Sequence, residues 1–340
     1  MSLMRFLMRK RTRYSLLLML ALMAALVVML VLRKAAPPEA ARLLPESDAI
    51  VYANVKPLRT ATHFDRTQIA HSPDYQHFID ATGIVPERDL DSVAFALHRM
   101  DDPNGPNGPV GYSEVFEGRF DGERLSHYLS GVATAKETYS GHDIYTIAVG
   151  DGKTSRPLRI AQLGYDTIAA SNMPTPEQIH SILDRHRAAA SPFSGSSLLS
   201  ARYRDVPAFS SAWGIGHIGL PFSDRGYISV LGLQLPLSED TTFVASLRYL
   251  GTLHLRIEQI APTDADAAHA TATLATLLTL VKSVTQTQAQ MQPNAPSDAG
   301  VRELMRSAKI EQHKDRAVLT ANIPLELIKK LATPSTEERP

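Results

Sequence analysis

Gly214-Ile215-Gly216-His217-Ile218-Gly219 has the spacing G-x-G-x-x-G, which in dinucleotide sites brings backbone N–H groups at a helix N-terminus against a pyrophosphate. That chemistry needs a strand before the glycines and a helix opening on them. Leu220-Pro221-Phe222-Ser223-Asp224-Arg225-Gly226 follows and opens no helix, so a Gly-rich strand or turn is expected beside Trp213, the single tryptophan. Glu239 stands near the offset of a ribose-binding acid, but without the helix it has nothing to serve. Gly150-Asp151-Gly152-Lys153-Thr154 imitates the end of a phosphate loop, yet Ile147 occupies the place of the first glycine, and a hairpin turn is expected.

The 12 histidines raise metal chemistry. His63, His71 and His77 are too widely spaced for one helix face, and His180 and His186 are six apart where i, i+4 would chelate. Asp264, Asp266 and His269 fall in the first turns of a long helix, where acids are expected from the helix dipole alone. Nucleophilic catalysis finds no G-x-S-x-G, no S-x-x-K and no cysteine. His142 and Asp143 are strand neighbours on opposite faces and form no relay. A hydrolase site gathered from distant residues is the enzymatic reading left open. No catalytic, cofactor-binding or metal-ligating residue is therefore assigned, and no cofactor is expected.

The elements around these residues are organised by Ser15–Leu32, an apolar run of membrane-spanning length. Arg5, Arg9, Lys10, Arg11 and Arg13 precede it, against Arg33 and Lys34 after it, so the N-terminus is expected in the cytoplasm. A cleaved signal peptide is the competing reading. The length of the run and the Arg33-Lys34 pair behind it favour an uncleaved anchor in the inner membrane, with the bulk of the chain periplasmic. Beyond residue 34 the chain carries 28 basic and 35 acidic residues, which disfavours a nucleic-acid partner. The lack of cysteine and of Asn-x-Ser/Thr acceptors fits a bacterial envelope.

An α+β ectodomain of mixed sheet and helix is expected, divided into a cytoplasmic basic segment (1–14), the anchor (15–32), a stalk (33–46), a first lobe (47–190), a connecting region (191–240), a second lobe (241–332) and a disordered tail (333–340). Strands are expected at Ala49–Val55, Val93–Leu97, along Tyr112, Phe116 and Phe120, and at Ile144–Val149, Leu158–Leu163 and Thr167–Ser171. Ser72-Pro73 opens a helix that Gly83 ends, and Thr175-Pro176-Glu177-Gln178 reads as a capping box. Leu253, Leu255 and Ile257 alternate with His254, Arg256 and Glu258, the pattern of a half-exposed strand.

From Pro262-Thr263-Asp264 a long helix runs to about Gln286, with Ala270, Leu274, Leu277, Leu278 and Val281 inward. Its other face holds Thr271, Thr273, Thr276 and Thr279 with one charge, Lys282. Such a face can dock a partner helix or a second subunit; the plainer reading is the outer side of a helix laid on a sheet. A polar loop (Gln286–Gly300), a short helix, a hairpin (Lys309–His313 with Ala317–Ile323) and a closing helix from Pro324 follow. Glu114–Leu129 and Arg316–Leu331 share a strand–junction–helix pattern, which raises an internal duplication into two related lobes.

Leu44-Pro45-Glu46-Ser47-Asp48-Ala49 and the ending Ala317–Leu331 resemble a group of single-pass bacterial envelope proteins with an extracytoplasmic domain of unknown function. The resemblance implies one membrane helix and an exported domain, and it brings no catalytic residues. The expected role is a non-enzymatic interaction or scaffolding module of the envelope, with an envelope protein partner or self-association. The alternative is an envelope hydrolase or a small-ligand sensor.

Overall fold

The computed structural model describes residues 36–66, 71–105, 108–150, 155–188, 195–217, 227–230, 233–236, 241–249, 251–291, 299–324 and 326–327, with Met19, Leu20 and Met23. The remainder of the expected anchor, the turn at 151–154, Glu239, Gly219 and the closing helix beyond Leu327 lie outside the described residues. Met19, Leu20 and Met23 are helical and exposed. Among the described residues, the helix long and apolar enough to cross a membrane is internal, at Asp264–Val284.

Alternating apolar residues produce strands along nearly the whole chain. The first half gives β1 (Ala49–Asn54), β2 (Leu90–Arg99), β3 (Val110–Gly118), β4 (Ala135–Tyr139), β5 (His142–Val149), β6 (Arg156–Gln162) and β7 (Thr167–Ser171). The second gives β8 (Ala212–His217), β9 (Tyr227–Val230), β10 (Leu233–Pro236), β11 (Thr242–Tyr249), β12 (Leu253–Ile260), β13 (Lys309–His313) and β14 (Arg316–Ile323). Twelve of these form one antiparallel sheet in the order β13-β14-β12-β11-β8-β1-β2-β3-β7-β6-β5-β4, and β9 pairs with β10 apart from it. The fold is thus α+β with a large antiparallel sheet.

The halves meet at β1 and β8, where Tyr52 lies opposite Trp213 and Ala49 opposite Gly216. This contact explains part of the glycine motif. A Cβ on Gly216 would stand 2.3 Å from the Ala49 Cβ, so only glycine lets the two strands approach there. From this junction each half runs outward through a three-strand meander, then a helix, and closes its last strand onto the third: β7 onto β3, and β14 onto β12. The sequence echo matches β3 to β14, strands in different places of that order.

Two expected boundaries are corrected. Residues 36–44 do not form a stalk, because Glu39–Leu43 is a helix (α1) whose Ala40, Ala41 and Leu43, with Leu44 after it, are buried in the main core. The apolar face of Ala-Ala-x-Leu-Leu has a sheet to cover, and it covers β1, β2 and β3. Region 191–240, expected to connect the lobes with some strand at Tyr227–Leu233, holds β9 at Tyr227–Val230 and also supplies the central strand β8. The capping box also fails: Pro176 takes the cap position with no side-chain cap bond, and Thr175 instead donates its hydroxyl to Glu177.

One face of the sheet carries Ile50, Tyr52, Ala94, Val115, Trp213, Ile215 and Val244. It is covered by α1 and by helices holding Ile179, Ile182, Leu183 and Leu199. On the other face Ile84, Leu125, Leu129, Tyr145 and Ile168 form a second cluster. Helix Pro73–Thr82 (α2) packs there with Gly122–Val132 (α3). Ser72 caps α2 by accepting from the Tyr75 N–H, and Gly83 ends it at φ 72°, both as the sequence predicts. Glu177–Arg187 (α4) and Ser197–Arg202 (α5) belong to the first face, while Asp264–Met291 (α6) and Ala299–Ser307 (α7) pack on the outer strands β13 and β14.

Candidate functional site

The residues singled out for metal chemistry are dispersed. His71 pairs with Glu87 at 3.1 Å, while His180 stacks on Tyr139 at 3.9 Å and reaches Glu137. His142 faces His186 edge to face at 5.6 Å and bonds the Gln162 carbonyl, while Asp143 turns to Lys136 and Thr138. Among the described residues no group of three or more His, Cys, Asp or Glu could hold a metal.

One serine–histidine contact was not foreseen. His98 Nε2 lies 3.0 Å from Ser113 Oγ, which lies 3.2 Å from Ser171 Oγ. Ser113 is wholly buried beneath the sheet's main core and Ser171 nearly so, so no substrate carbonyl can reach either hydroxyl. Burial depresses the His98 imidazole to about 4, with Asp48 opposing. Asp48 itself accepts the Arg99 N–H, so the group is a satisfied polar contact between strands. The carboxylates of the Leu-Pro-Glu-Ser-Asp-Ala opening do similar work: Glu46 accepts from Ser197 N–H, the Ser197 hydroxyl and Arg185, pinning β1 to α5 and α4.

Among the described residues, two surfaces have something to offer a partner. The first is α6. Of Asp264–Val284 only Ala267 is buried, and the predicted inward stripe of Ala270, Leu274, Leu277, Leu278 and Val281 is only half covered. Leu280 and Val284 are 47% and 49% exposed. Thr276 and Thr279 donate their hydroxyls back to the Ala272 and Ala275 carbonyls, which leaves their methyl groups outward. Lys282, the one charge between Ala267 and Val284, is drawn to the body of the protein by the Ala308 carbonyl at 2.7 Å. The outward face is therefore more apolar than its threonines suggest.

The second is a cleft of about 790 Å³ at the junction of the halves, inside the ~300–1,000 Å³ range of ligand sites. Its floor is Tyr52 stacked on Trp213 at 5.5 Å, with Tyr203 edge-on to Trp213 at 5.4 Å. Ala36–Glu39 and Arg42 form one wall, and Tyr203–Ser210 with Arg204 and Phe209 the other. Burial pushes the Tyr52 phenol up to about 12, against a hydrogen bond with Ser92. Ser92 also donates to Glu117, whose carboxyl burial raises and which accepts the Ala40 N–H at 2.9 Å. The first wall thus hangs on the first half. The second is tied to the other half by Arg316, which bonds Asp205 at 2.8 Å and buried Glu258 at 2.7 Å. The sequence marked Trp213 only as part of a Gly-rich stretch. Its partners Tyr52 and Tyr203 became visible only with the pairing of β1 and β8.

These features define an α+β protein built on one antiparallel sheet, with an apolar helix on one wing and an aromatic cleft at the centre. Compared with known proteins, the chain matches no family model and no curated protein. Among solved structures it is similar to crystal form III of TP0453, with TM-score 0.48 and 12% identity over 86% of this chain and 97% of that one. Crystal form IV of TP0453 gives TM-score 0.47 at 11% identity, covering 88% and 98% of the two chains.

Proposed function

We propose that this chain is a membrane-tethered interaction module of the bacterial envelope, held by residues 15–32 with its N-terminus in the cytoplasm, which docks a partner through α6. The observation that carries the reading is the outward face of that helix: no charged side chain is directed outward between Ala267 and Val284, and the large apolar side chains Leu280 and Val284 are in water. An uncharged stripe of small and apolar residues gains free energy by meeting a second such helix, whether another copy of this chain or an envelope protein.

Mild-detergent purification of the full chain beside a Leu280→Arg/Val284→Asp variant tests this. The expected result is a stoichiometric companion or a dimer with the wild type and a lone monomer with the variant, both melting alike. A wild type that elutes alone as a monomer defeats the reading. The cleft supports a second reading, a small-ligand sensor, because it joins an aromatic floor to a few polar groups.

A further inference from the structure

We infer that the central cleft takes an anionic phospholipid, its phosphate at Arg204 and its first carbons against Trp213 and Tyr203. The inference deepens the ligand-binding reading and rests on residues 15–32 being the membrane anchor.

Position is the first argument. The cleft wall begins at Ala36, four residues beyond Leu32. Four extended residues reach at most about 14 Å, so an anchored chain holds this cleft at the headgroup layer. Chemistry is the second. Tyr203, half-buried over the edges of Tyr52 and Trp213 (6% and 3% exposed), gives the cleft an apolar side for the carbons of an amphiphile, and Phe209 stands 79% exposed at the mouth. Charge is the third. Arg204 lines the opening exposed, with no hydrogen bond or ion pair from its guanidinium among the described residues, while its neighbour Asp205 is taken by Arg316. Among the charged side chains of the lining, Arg204 is the exposed cation, and a guanidinium matches the oxygens of a phosphate.

Trp213 is the only tryptophan of the chain and lies in the floor, so its emission reports on the cleft directly. Full-length protein in a sugar-headed detergent is titrated with dihexanoyl phosphatidylglycerol, dihexanoyl phosphatidylcholine and glycerol phosphate. The expected result is a saturable change in Trp213 emission with the first, weaker binding of the second and no change with the third. Arg204→Gln should weaken the phosphatidylglycerol response about fivefold, the effect of one basic group at an anionic surface. No response to phosphatidylglycerol, or equal binding of phosphatidylcholine, overturns the inference. A response to glycerol phosphate equal to the lipid's also overturns it, making the ligand a free phosphate ester. A C-terminal reporter active only in the cytoplasm would instead defeat the anchored reading, and the titration stays readable without it.

Discussion

Glu114 stands on β3 opposite Phe95 and Ala170, and burial raises its carboxyl to about 7. Its folded form binds a proton that the unfolded chain has already lost, so it costs stability as pH rises from about 4.5 to 7. His98 works in the other direction. Its folded imidazole, depressed to about 4, stays neutral where the unfolded one charges, and stability falls as pH drops from 6.5 towards 4. Glu114→Gln is therefore expected to stabilise the protein at pH 8 by about 1–2 kcal/mol and to do nothing at pH 4. Urea titrations at the two pH values check it; equal gains at both would contradict the assignment. Arg316 is the other residue with a sharp consequence. Replacing it by Met leaves Asp205 without its closest cation and Glu258 with Arg256 alone, at an expected cost of about 3 kcal/mol in urea unfolding. Because Asp205 adjoins Tyr203 and Arg204, the same substitution should also loosen the cleft wall, seen as a red shift of Trp213 emission.

Among the elements, α1 and α6 show what the sequence could and could not convey. Strict alternation in Leu253–Ile257 and the caps of α2 are local signals, and both elements form where the sequence puts them. The Pro- and Ala-rich stretch before β1 reads as a stalk because its helix is one short turn. Its burial depends on Glu117 and on a sheet assembled from residues far along the chain. Leu43→Ala should accordingly cost about 2–5 kcal/mol, and the amides of Ala40 and Arg42, bonded to Glu117 and the Pro38 carbonyl, should resist hydrogen exchange; a free stalk would show neither. For α6 the helix forms from Asp264 as expected but runs to Met291, through the first residues of the expected loop Gln286–Gly300, and its one buried residue among those described, Ala267, lies outside the expected stripe. The sequence could not show how little of the expected stripe β13, β14 and α7 cover, nor that Lys282 folds inward. Leu280→Arg is predicted to leave the unfolding free energy within the spread of surface substitutions, about ±0.5 kcal/mol, in urea titrations. A large loss would mean that the helix face is already occupied within the chain.

At the scale of the whole molecule, the strand order is alike for four strands outward from the junction, β1-β2-β3-β7 against β8-β11-β12-β14, and the cleft lies where the two halves join. The two halves share one sheet, with the apolar helix carried on the outer strands of the second. This arrangement places a candidate membrane-side ligand at the centre and a candidate protein contact on the wing, so one chain could couple the two. The most direct test of the account is photocrosslinking in cells, with a photoreactive amino acid placed in turn at Thr276, Leu280 and Val284 on α6, and at exposed Tyr165 as control. The account predicts one discrete adduct, of the same mass from all three helix positions and absent from Tyr165. Adducts equally spread over the helix and the control, or none from the helix in cells that contain the protein, would contradict docking through α6.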